Sequence, residues 1–171
     1  IFGTVATSAH AMGLDAAQTA TALAIAASLA SGLKANFGTM TKPFHVGHTL
    51  RNGVLAALLA EGGLTAGDDV FGHGQGYFQV FNGAGAFDAE RALADWGAPW
   101  DVLATGPGLK QYPCCGSTHP GIDCLLELRA KHGLTADNVA AIEMLTNPLR
   151  LPHTNNPDPR SGLEGKFSLH Y

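Results

Sequence analysis

The chain has 171 residues, 46% of them hydrophobic and 14% charged, with a net charge of -4, which places it among soluble globular proteins. With 10 Lys and Arg against 14 Asp and Glu and no basic run, no nucleic-acid partner is expected. No membrane is expected either, since Thr19, Thr21, Ser28, Ser31 and Lys34 break the longest apolar run before it reaches the roughly eighteen residues of a span.

The charged share is well below the roughly 25% usual for a soluble domain, which predicts apolar surface that a partner covers and an isolated chain that self-associates. The three cysteines, Cys114, Cys115 and Cys124, are an odd number with two adjacent, so a reduced, cytoplasmic setting is the simpler reading. There is no charged leader followed by an apolar core. The chain opens on Ile1 and stops at Tyr171, inside what reads as a helix, and is expected to be part of a longer polypeptide.

In chain order, residues 3–12 read as the end of a helix stopped by Gly13. Asp15 is a good N-cap for the next one, AAQTATALAIAASLAS, with Gly32 as its C-terminal stop. A further helix is expected over 46–60, carrying Leu50, Val54, Leu55, Leu58 and Leu59 on one side. Thr65 is expected to cap a short helix through Val70 and Phe71. The GHGQG stretch at 72–76 follows no evident strand and precedes no P-loop lysine, so it reads as a loop leading into short helical pieces over 77–97.

Composition shifts near Pro99. Residues 100–103 and 109–115 look extended, 121–132 helical, and 139–146 a strand with β-branched residues in alternation. The expected fold is therefore mainly α with a smaller α/β part: an all-helical region over 1–105 and an α/β region over 106–171, ending in a helix around 167–171.

Lys42, His45, His48 and Arg51 fall within GTMTKPFHVGHTLR. Pro43 presets φ and pushes its predecessor towards extended backbone, which would hold Lys42 on a restrained loop. Cations gathered in this way suit a di- or tricarboxylate, and a lysine can stabilise an enolate-like charge; a solvent-exposed lysine is the plainer alternative. His45 and His48 are too few to bind a metal, and no HExxH pattern is present, so His48 reads as a packing or hydrogen-bonding residue and His45 as a candidate ligand contact. In YPCCGSTHPG, Ser117 or Thr118 can cap the following helix, so His119 lies near its N-terminus. A helix N-terminus favours a neutral imidazole, the form able to accept a proton, although a packing histidine at a turn fits equally well. Cys115 with His119 as a nucleophilic pair lacks an identifiable orienting Asn or Asp. Tyr171, in GKFSLHY, is either a core residue or a phenol able to act as acid or hydrogen-bond donor.

Three stretches taken together, GLKANFGTMTKPFHVGHTLRNGVLAALLAEGGLTA, YPCCGSTHPGID and DPRSGLEGKFSLHY, resemble the MmgE/PrpD family. Its members include dehydratases of 2-methylcitrate in propionate metabolism, decarboxylases of cis-aconitate and epimerases of iminodisuccinate. The resemblance implies a large helical domain and a smaller α/β lid with the site in the cleft between them, a homodimer, no metal and no cofactor, and a small polycarboxylate substrate. By motif, the family's active-site lysine falls on Lys42, its histidine on His119 and its tyrosine on Tyr171, with His45 and Thr118 as candidate substrate-binding residues. Family members run to well over twice this length and carry an Asp, a Thr and a His on N-terminal helices that also line the cleft. The chain is therefore expected to hold the second part of the helical domain, the first part of the lid and about half a site. A lyase of the dehydratase type is the expected activity; an epimerase or decarboxylase, or a non-catalytic helical module, are the alternatives.

Overall fold

The computed structural model describes residues 1–104 and 106–171, so the domain boundary expected near residue 105 falls on the one residue outside the described ones. The fold is mainly helical. Among the described residues seven α-helices run over Phe2–Met12 (α1), Ala16–Leu29 (α2), Thr41–Glu61 (α3), Tyr77–Asn82 (α4), Asp101–Ala104 (α5), His119–His132 (α6) and Gly162–Gly165 (α7). Single 3-10 turns lie at Lys34–Asn36 and Leu151–His153. The chain forms two compact units, one of residues 1–32 and 43–107 and the other of 33–42 and 108–171.

In the first unit α1 ends at Gly13, whose φ of 71° is the left-handed conformation that glycine adopts without cost. Asp15 caps α2 as expected and does so reciprocally: Gln18 N donates to its carboxylate at 2.8 Å, and Asp15 N donates to the Gln18 side chain at 3.1 Å. The helix stops at Leu29, with Ala30 already extended. Gly32 is therefore not its stop. With φ +119° it lies beside the His45 ring, 3.5 Å from where a Cβ would stand.

The core here is built from small residues. Val5, Ala22, Ala26, Ala56 and Ala60 are buried together, flanked by Ile1, Phe2, Leu23, Ile25 and Leu29. Small side chains let helix backbones approach closely, and Gly53 of α3 shows how closely. A Cβ there would stand 2.6 Å from Thr4 Cβ and 3.0 Å from the Ile1 carbonyl oxygen. Buried Asn52 reaches the end of α2, its Nδ2 donating to the Leu29 carbonyl at 3.3 Å and lying 3.0 Å from His48 Nε2, the hydrogen-bonding role expected of His48. Along the other side of α3, Val46, Leu50, Val54 and Leu58 form an exposed apolar stripe at helical spacing.

The short helix expected from Thr65 is not formed. Residues 68–73 turn instead, so that the Val70 and Phe71 carbonyls accept from Tyr77 N at 2.8 Å and Phe78 N at 3.3 Å. The glycine-rich loop thus leads into α4. Phe2, Phe71, Tyr77, Phe78 and Phe81 gather edge-on or tilted beside it, with ring centroids 4.7 to 5.9 Å apart.

In the second unit α6 is the longest element, entered through Pro120 in its first turn and closed by Gly133 at φ 63°. The strand expected over 139–146 is not formed, and among the described residues there is no strand at all. A strand exists through its ladder, and neither companion stretch supplies one: 101–104 closes into α5 and 109–115 runs into turns. The terminal helix expected at 167–171 is also absent, for a local reason. Buried Ser168 donates to the Asn156 carbonyl at 2.7 Å and accepts from His170 N and Tyr171 N, each at 3.1 Å. Its side chain thereby takes the amides a helix would have used, and Leu169 N donates to the Thr154 carbonyl at 2.8 Å. Nearby, the His153 ring meets Phe37 edge-on at 5.9 Å. Burial first, then the charges of Lys34 and Arg150, push the His153 imidazole below its usual range.

Two stability effects follow. Gly53→Ala is expected to destabilise by about 1–2 kcal/mol, because the overpacking cost of about 1–3 kcal/mol outweighs the helix propensity gained. Gly47→Ala, in the same helix with nothing within 4 Å, is expected to stabilise by about 0.5–1 kcal/mol; denaturant unfolding of both variants checks the opposite signs. For His153 the folded form holds its proton less tightly than the unfolded chain, so its contribution is complete above the unfolded pKa of about 6.5 and is lost as pH falls towards the lowered folded value. Thermal unfolding below pH about 6.5 is expected to lose stability less steeply in His153→Gln than in the parent.

Candidate active site

Lys42 lies in the second helical position of α3, with Pro43 following inside the first turn. The restrained loop expected for it is therefore a helix start. Thr39 makes this possible: its hydroxyl accepts from Thr41 N at 3.2 Å and donates to the Asn36 carbonyl at 2.8 Å, while its own carbonyl accepts from Lys42 N at 3.3 Å. Proline in a first turn removes only an amide that lacks an intrahelical acceptor anyway. The half-buried Lys42 ammonium stands 5.6 Å from the centre of the Phe37 ring and 5.4 Å from that of Phe167. Among the described residues no carboxylate stands within salt-bridge distance of it.

His119 opens α6, and Thr118 occupies the capping position without making the side-chain cap bond. The Thr118 hydroxyl instead donates back to the Cys115 carbonyl at 2.7 Å. Its single proton being committed there, the Cys114 thiol at 3.1 Å is the donor to Thr118 Oγ1. The His119 ring meets Tyr112 edge-on at 5.1 Å. Tyr112 in turn donates to Asp123 Oδ1, one helical turn beyond His119, at 2.5 Å; this bond to a carboxylate is the main reason its phenol is pushed above the usual range. The Nε2 atom of His119 is buried and, among the described residues, has no hydrogen-bond partner. Such an atom costs about 1–3 kcal/mol of desolvation, and its presence needs an explanation.

The terminal segment joins this turn directly, Cys115 N donating to the Lys166 carbonyl at 2.8 Å. Tyr171 is 89% exposed, and its ring packs 3.1 Å from where a Cβ at Gly165 would stand. It is on the rim rather than in a core. A cavity of about 410 Å³ lies here, with Thr118, Ile122, Leu125, Met144, Leu169 and Tyr171 among its lining residues. Neither Lys42 nor His119 lines it, and its mostly aliphatic wall suits apolar groups better than carboxylates.

Lys42, Thr118, His119 and Tyr171 all belong to the second unit. His45 belongs to the first, its ring against Gly32. Among the described residues no three of His, Cys, Asp and Glu gather in a way that could hold a metal ion, and the three cysteines are free thiols. Among the described residues no helix is long and apolar enough to cross a membrane. Phe37 and Phe167 stand beside the lysine, and His153 links Phe37 to the turn before α6, its ring against Phe37 and its Nε2 3.5 Å from Ser117 Oγ; none of the three is singled out by the sequence motifs as a site residue. Their only signal was that the two phenylalanines fall inside the same stretches that carry Lys42 and Tyr171.

Residues 1–90 match the MmgE/PrpD N-terminal domain and residues 112–171 the MmgE/PrpD C-terminal domain. A cis-aconitate decarboxylase from Homo sapiens is 31% identical over 182 residues, covering 99% of this chain and 35% of that protein. One from Mus musculus is 30% identical with the same coverage, and one from Aspergillus terreus is 32% identical over 71% of this chain and 26% of its own length. The chain thus spans about a third of the length of the first two. With one domain model matching more than half of its residues and the second following in order, the chain belongs to the MmgE/PrpD family.

Proposed function

We propose that the chain contributes the lysine, histidine and tyrosine of an acid/base centre in a lyase that acts on a small di- or tricarboxylate. What carries the reading is, among the described residues, an ammonium without a carboxylate partner and a buried imidazole nitrogen without a hydrogen-bond partner, both held in one compact unit. The buried nitrogen is costly to keep idle, and an anionic substrate with an acidic C–H bond gives both groups a task.

Chemically, His119 takes a proton from the carbon next to a carboxylate, and the electron pair moves onto that carboxylate as an enediolate. Lys42 stabilises the added charge. Tyr171 donates to the departing hydroxide, which leaves as water, or to a second carboxylate. In decarboxylation the same charge arises differently: carbon dioxide leaves, its bonding pair stays on carbon, and the acid returns a proton there. Both routes need a fixed cation beside developing negative charge, which is the largest lever an active site has. His45 and Thr118 are proposed to contact the substrate, Thr118 giving up its present bond to the Cys115 carbonyl to donate its proton to a substrate carboxylate.

The cis-aconitate decarboxylases among the relatives favour an unsaturated or hydroxylated tricarboxylate of the aconitate and citrate class; 2-methylcitrate belongs to the same class and is kept as a second substrate to try. A homodimer working in the cytoplasm is part of the proposal. The exposed stripe on α3 and the free thiols favour it.

The test is turnover by the full-length protein. Carbon dioxide release from cis-aconitate and ultraviolet absorbance of a new C=C bond from 2-methylcitrate distinguish the two outcomes. Lys42→Ala is expected to lower kcat about 10²–10³-fold, and His119→Gln about 10²–10⁴-fold. A Lys42→Ala enzyme that keeps the parent rate refutes the proposal.

A further inference from the structure

The geometry points to Phe37 and Phe167 as a pair of positioning residues that hold the Lys42 ammonium over their two touching rings and aim it, without neutralising it, at an anionic ligand. This rests on the role proposed above for Lys42.

Lysine is a poor instrument of precision on its own. Its charge rides on a flexible four-carbon stem, and fixing that stem costs side-chain entropy. Proteins usually fix it with a carboxylate, which also cancels the charge and competes with any carboxylate substrate. Here the restraint is aromatic. The ammonium lies 5.6 Å and 5.4 Å from the two ring centres, both inside the roughly 6 Å at which a ring quadrupole attracts a cation. A ring has no formal charge, so the net positive charge survives for the ligand.

The clamp is itself braced. Phe37 and Phe167 touch, their centroids 5.2 Å apart and their planes tilted by 44°, and the His153 ring closes on Phe37 edge-on. Gly38, buried and at φ +84°, lets the chain pass so near α7 that a Cβ would meet Glu164 Cα at 3.5 Å. On the other side Phe167 N donates to the Glu164 carbonyl at 2.9 Å. Both rings are thus tied to a single short element, α7.

The experiment uses the full-length protein with Phe37→Leu, Phe167→Leu and the conservative Phe167→Tyr, each first checked for parent-like thermal unfolding. Two readouts are taken: kcat and KM on the polycarboxylate that the protein turns over, and the NMR shifts of the Lys42 ε-methylene, which ring currents move upfield when the stem is clamped. Each leucine variant is expected to lose about tenfold in kcat/KM and to relax the Lys42 shift towards that of a free lysine. Tyrosine keeps the ring face and should restore both. If Phe37→Leu does not fold, the Phe167 pair of variants decides alone.

Leucine variants with the parent kcat/KM, or a Lys42 shift already that of a free lysine in the parent, overturn the clamp while Lys42→Ala can still uphold the lyase. A fully active Lys42→Ala removes the lyase reading and this inference with it.

Discussion

Everything particular about the second unit depends on how closely the segment before α3 approaches α7. Gly38 supplies the backbone turn this approach needs, since its φ of +84° would strain any side chain there, and Glu164 Cα lies 3.5 Å from where a Cβ would stand. Phe37 and Phe167 then meet, and Lys42, one turn further on, comes to rest over both. A lysine that the chain numbers among the helical residues thereby joins the unit of the histidine and the tyrosine.

The unit is arranged to keep polar groups ready at a cost. Its buried polar side chains are satisfied within the unit: Thr118 by Cys115, Thr154 by Arg150 and Ser168 by Asn156. Among the described residues His119 Nε2 is the exception. An unsatisfied buried atom beside such partners is what functional sites carry. The Tyr112–Asp123 bond and the edge-on contact of Tyr112 with His119 hold the ring in place without occupying the buried nitrogen.

The first unit follows a different logic. Its helices approach through alanine and glycine, which buries little area per residue but leaves no room for error at Gly53. The apolar stripe of α3 stays exposed, in keeping with the low share of charge in the sequence.

Much of this was legible in the sequence where the governing interaction is local. The Asp15 cap, the stop at Gly13, the helical period of α3, the nearness of His119 to the start of α6 and the family motifs all lie within a few residues of the groups they act on, and patterns of that range can be read directly. The reading failed where a distant residue decided. Residues 139–146 have the alternation of a strand, but a strand needs neighbours, and 101–104 coiled into a helix. Residues 167–171 have helical composition, but Ser168 found the Asn156 carbonyl and took the amides. The sequence by itself determined the helical class, the family and which lysine, histidine and tyrosine to watch. Only the tertiary structure decided what surrounds them, because Phe167 is remote in the chain from Phe37 and Lys42 and no periodicity connects them; what joins them is the fit of the segment before α3 against α7.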